Sequence, residues 1–164
     1  MPLESSPKPE PALSLRLGLN SCKARTFKIK MASIRLSSKG QKRFSLCHAS
    51  GAEIETDAPI DNHGKGEAFS PTDLLAGSLA ACMLTILEIE MEKSGEKLAW
   101  AKAELNKSMH ASPRKVAKVE IDIFLPKKLE ASSLWLGWKR AMEQCPVARS
   151  LHPELIQTIH YQFE

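Results

Sequence analysis

The sequence predicts an α+β fold, and three observations carry that expectation. Segments with a two-residue apolar alternation lie in both halves of the chain. One long uncharged run, Leu74 to Leu87, is opened by a helix-capping signature. Gly- and Pro-containing breaks divide the segments into the order β-β-β-α-β-β-α-β, in which strands are grouped rather than strictly alternating with helices.

The first strand carries Ile34 and Leu36 and ends at Lys39-Gly40. Phe44, Leu46 and His48 share one face of a second strand that ends at Ser50-Gly51, and Ala52–Thr56 reads as a third. Asp57–Phe69 is a loop rich in Gly, Asp and Pro. Ser70 then suits a helix N-cap, Pro71 the first turn, and Asp73 the third position of a capping box. The 14 uncharged residues that follow are too few to span a bilayer, which favours a buried core helix. Glu88, Glu90 and Glu92 return the helix to solvent, and Gly95 suits its end. Two long strands are expected next, with Ala99, Ala101, Ala103 and Leu105 apolar in one and Val119, Ile121, Ile123 and Leu125 in the other, stopped by Pro126. A helix from about Leu129 to Gln144 carries Leu134, Trp135, Trp138, Ala141 and Met142 at helical spacing. Cys145-Pro146 breaks it, Pro146–Leu151 reads as a short helical turn, and Glu154–Phe163 as a last strand.

At 164 residues the chain is long enough for one domain with a real core. Residues 1–30 read as a leader, with Pro2, Pro7, Pro9 and Pro11 in its first eleven positions; an upstream start, a cleaved transit peptide and a disordered arm are the three readings. The domain is expected from residue 31 to 164. Six of the 23 basic residues but only two of the 19 acidic ones lie in the leader, so the rest is neutral overall and nucleic acid is not an expected partner. No secretory signal follows the first charges, and a reducing, cytoplasmic setting is expected, or an organelle if the leader is a transit peptide. A functional cysteine pair there would be redox-active rather than structural.

Four cysteines occur: Cys22, Cys47, Cys82 and Cys145. No pair has a metal-binding spacing, and His48, His63, His152 and His160 add no common ligand pattern, so no metal is expected. Gly64-Lys65-Gly66 lacks the spacing of a phosphate-binding loop. Taken alone, Cys82 reads as a small core hydrophobe in the central helix, too far from the helix start for the dipole to activate it. Cys145, before Pro146, reads as the N-cap of a short helix or as a chance cysteine at a break.

The context of the two cysteines is more specific. SPTDLLAGSLAACMLTIL, followed 63 positions later by CPVARSL, resembles the OsmC/Ohr hydroperoxide reductase family, and TDAPIDNHGKGEAFSPTDLL resembles that family's approach loop and helix start. The resemblance spans about residues 32–163. It implies an OsmC-like fold, an antiparallel sheet with a buried central helix in an intertwined homodimer whose sites are built from both chains. Cys82 would be the peroxidatic cysteine and Cys145 its resolving partner. The substrate would be an organic hydroperoxide, favoured by Leu79, Met83 and Ile86 around Cys82, and the reductant a lipoyl- or thioredoxin-like dithiol. No cofactor would be needed. Family members place an arginine near the thiol from the N-terminal strands; Arg43 is the candidate and Arg35 the alternative. Many Ohr members carry a glutamate at the position of Thr72 to orient that arginine; here Asp73 reads as a capping acid and Glu67 as another partner, and the SPT opening resembles the OsmC-like branch. A second reading keeps the same fold as a non-enzymatic dimeric module that binds an apolar molecule or senses peroxide.

Overall fold

The computed structural model describes residues 34–164; the leader expected over residues 1–30 lies outside them. Three strands come first: β1 (Ile34–Gly40), β2 (Arg43–His48) and β3 (Glu53–Thr56). They form an antiparallel sheet in the order β1-β2-β3. Leu36, Leu46 and Ile54 stand side by side across it, while the alternate face of β2 carries the half-buried Arg43 and the buried Ser45 and Cys47. The apolar face therefore stays largely open, with Leu36 62% exposed and Ile54 44%. Alternation reads which residues share a face, and not which face is covered.

The central helix, α1 (Pro71–Lys93), starts as its signature demands. The Ser70 hydroxyl accepts the Asp73 N–H at 3.1 Å, and the Asp73 carboxylate accepts the Ser70 N–H at 2.7 Å. Its 23 residues exceed the uncharged run, so length and composition alone would permit a membrane crossing, contrary to the expectation from 14 residues. Its use is decided by packing. Ala76, Leu79, Ala80, Met83, Leu87 and Met91 recur every three or four residues and are buried in the core, whereas Ala81, Thr85 and Ile89 remain exposed. Within one chain the helix is thus buried along one stripe rather than all round.

β4 (Lys102–His110) and β5 (Lys115–Leu125) pair antiparallel, and β6 (Ile156–Phe163) lies beside β5 but parallel to it. The second sheet is therefore mixed, a correction to the expected antiparallel sheet. The reason is topological: the chain leaves β5, crosses through helices and returns in the same direction, as a parallel neighbour requires. The expected strand from Ala99 begins at Lys102, and the expected Leu129–Gln144 helix is divided. A 3-10 turn at Lys127–Leu129 follows Pro126, and α2 is confined to Trp135–Glu143, before α3 (Pro146–Ser150).

The core lies between α1 and the second sheet. Val119, Ile121, Ile123 and Leu125 of β5 are fully buried, and they meet the α1 stripe together with Trp138 and Met142 of α2. Each such aliphatic side chain contributes about 1.5–3 kcal/mol through burial. Trp135 packs edge-on against Tyr161 and Phe163 of β6, with ring centroids 5.2 and 5.1 Å away. Two of the three tryptophans thus join α2 to the core and to β6.

Candidate active site

Cys82 lies on α1 next to the buried stripe and is half-buried. Cys145 is brought to it by the break after α2. The Cys145 N–H still bonds to the Met142 carbonyl at 3.1 Å, but Pro146 has no N–H with which to continue the helix. The backbone turns extended at Cys145 (ψ 154°) and restarts as α3, whose first turn the cysteine caps. The Ala148 N–H donates to its Sγ at 3.4 Å, and the Arg149 N–H to its carbonyl at 3.1 Å.

This cysteine is 1% exposed, and the Cys82 thiol lies near enough to bear on its ionisation. Burial pushes the Cys145 thiol above its ordinary pKa; the Ala148 N–H works in the opposite direction, and the Cys82 thiol adds to the rise. The pair therefore joins an accessible sulfur to a buried, proton-retaining one. A shallow groove of about 510 Å³ runs between α1 and α3, lined by Leu74, Leu75, Ser78, Val147 and Leu151. Ser78 is one helical turn from Cys82, and the groove's lining is mainly apolar.

Arg43 opens β2 and is held by two carboxylates. Its Nη2 donates to Asp57 Oδ2 at 3.3 Å and also pairs with Glu67. Glu67, more strongly than Asp57, raises the guanidinium pKa further, against burial. None of these bonds reaches either thiol. Arg35 stands exposed on β1 opposite Cys47. Asp73 is engaged in the capping box and with Lys107, so it is a structural acid and not the arginine's partner. The Thr72 hydroxyl bonds to the Ser70 hydroxyl at 3.0 Å.

Asp57 was not singled out in the sequence. Its side chain is fully shielded, and Oδ2 also accepts the Glu67 N–H at 3.0 Å. That backbone bond, opposed by burial and aided by Arg43, holds its carboxyl below the ordinary range. In the sequence it is merely the first acid of a loop, and no local pattern separates it from Asp61. Among the described residues, no group of three or more His, Cys, Asp or Glu is placed to hold a metal ion.

A paired-thiol centre on an α+β scaffold, with one cysteine on the central helix and the other capping a short helix below it, defines a thiol-bearing protein of OsmC architecture. Solved structures agree. A protein from Psychrobacter arcticus 273-4, described as an osmotic stress induced and detoxification response protein, is 41% identical with a TM-score of 0.74, covering 83% of this chain and 99% of its own. Organic hydroperoxide resistance proteins from Legionella pneumophila and Elizabethkingia anophelis share the fold at 16% and 15% identity. Their TM-scores are 0.61 and 0.60; they cover 80% and 84% of this chain, and 98% and 100% of their own. The family model for OsmC-like protein matches residues 64–159. The chain belongs to the OsmC-like family. No curated protein matches it.

Proposed function

We propose that the protein reduces organic hydroperoxides with its own thiols, Cys82 attacking and Cys145 resolving. The observation that carries this reading is the proximity of the two cysteines, one half-exposed and one buried, where α1 packs against the start of α3. The Cys82 thiolate attacks the O–O bond; the sulfur takes one oxygen as sulfenic acid, and the other leaves, protonated, as the alcohol. The Cys145 sulfur then displaces hydroxide from the sulfenic sulfur, releasing water and forming a disulfide. A lipoyl- or thioredoxin-like dithiol reduces that disulfide by exchange and is itself oxidised. These steps use only sulfur chemistry.

Arg43 is the cation proposed to stabilise the thiolate and the departing oxygen. It serves from a second copy in an intertwined dimer. Support comes from the open apolar stripe of Leu36, Leu46 and Ile54 and from the exposed Ile89 on α1, surfaces a second copy would cover. The names of the two hydroperoxide resistance proteins support the substrate class.

The test is turnover. With excess dithiol, the protein should consume many equivalents of cumene hydroperoxide per chain. Consumption that stops at one equivalent would replace the enzyme by a peroxide sensor of the same fold.

A further inference from the structure

We infer that Asp57 is the positioning residue for Arg43, the fixed anchor that places the guanidinium and seats the loop bearing Glu67. The inference rests on the proposed role of Arg43 and names what orients it. Asp57 directly follows β3, and its Oδ2 takes two donors from different parts of the chain: Arg43 Nη2 on β2 and the backbone N–H of Glu67, ten residues further on. One carboxylate oxygen therefore ties the strand to the far end of the loop.

The loop is built to make that tie. The Asp57 N–H bonds to the Phe69 carbonyl at 3.0 Å, closing the loop at its base. The Gly66 N–H reaches Ala58 O at 3.2 Å, and the Gly64 N–H reaches Pro59 O at 3.0 Å. A Cβ on Gly64 would stand 1.7 Å from the Ala58 carbonyl oxygen, so this approach admits only glycine. The two carboxylates on Arg43 differ in kind. The Asp57 side chain is 0% exposed and the Glu67 side chain 57%. Water can replace Arg43 at Glu67, but Asp57 is shielded from it, and without Arg43 its charge would be left buried with backbone N–H donors and no countercharge. Asp57 is thus the permanent partner and Glu67 the exchangeable one. Arg43 Nε is also buried, with no acceptor among the described residues, so the guanidinium's orientation depends on its Nη2 side.

The experiment uses the full-length, nitrogen-15-labelled protein and follows the Arg43 Nε–H resonance, assigned by its loss in Arg43→Lys. The wild type should show a shifted peak that exchanges slowly with solvent, because the group is buried. Asp57→Asn should return it to the position and fast exchange of a free arginine; Glu67→Gln should leave it shifted. Asp57→Ser serves if the asparagine variant does not fold. In parallel, Asp57→Asn should lower peroxide kcat/KM about tenfold to a hundredfold in the wild-type background and no further when Arg43→Ala is already present. A protected Nε–H peak in Asp57→Asn, or an equal loss of turnover in both backgrounds, would overturn the inference. If the wild type consumes no peroxide, the reaction reading falls, and the Nε–H resonance alone decides the anchor.

Discussion

One equivalent of an organic hydroperoxide, added without reductant, should link Cys82 to Cys145 within a single chain and raise its thermal stability. The two cysteines lie near one another in one packed cluster, and bridging requires their Cα atoms to come within the roughly 7 Å limit for a disulfide. The two residues are 63 positions apart, and closing a loop of that length restricts the unfolded chain by about 4 kcal/mol in the chain-entropy account. Part of this is offset, because the Cys145 sulfur accepts the Ala148 N–H that caps α3, and bridging redirects it. The loss of one such bond costs about 1 kcal/mol. A net gain of about 3 kcal/mol should lift Tm by roughly 10 °C in a domain of this size. Scanning calorimetry on reduced and oxidised protein measures the shift, and peptide mapping identifies the link. An interchain bridge, a Cys82–Cys47 bridge, or Cys82 sulfonic acid beside free Cys145 would refute the reasoning.

Cys82→Ser should abolish dithiol-dependent peroxide consumption while leaving the far-ultraviolet circular dichroism unchanged, at a stability cost of about 1–3 kcal/mol for a hydroxyl in an apolar setting. Leu87→Ala removes a fully buried side chain of the α1 stripe and should cost about 2–5 kcal/mol, seen as a lower urea midpoint at unchanged slope. Asp73→Asn should cost about 0.3–1 kcal/mol at pH 7, because the acid serves the helix start and pairs with the part-exposed Lys107. Burial works to raise the Asp73 carboxyl, but Lys107 and the Ser70 bonds outweigh it and hold the carboxyl below its ordinary value. The stabilisation is therefore complete above the unfolded value of about 4 and is lost as pH falls through the lower folded value. Urea melts of wild type and variant should converge in that acid range; a constant difference down to pH 2 would remove the charge from the explanation.

What the sequence by itself determined is local. The S-x-x-D box started α1 at the expected residue because the cap involves groups three residues apart. Pro146 ended one helix and opened another because its ring and missing N–H act on adjacent turns. The two cysteines and Arg43 were singled out from the resemblance of short segments, and the strands followed from their alternation.

Only the tertiary structure decided the rest. Whether β6 runs parallel to β5 depends on the path through α2 and α3, which periodicity does not record. Which face of β2 is covered depends on what packs against it, and the covered face proved to be that of Arg43, Ser45 and Cys47. The α1 run is uncharged on every side, so only packing against β5 and α2 shows which residues are core. The same holds at the two clusters. Asp57 meets Arg43 and the Glu67 backbone through a closed loop, and Cys145 is brought near Cys82 across 63 residues. Contacts over such separations arise from the folded path of the chain, whereas capping, turn and alternation signals extend only a few residues along it.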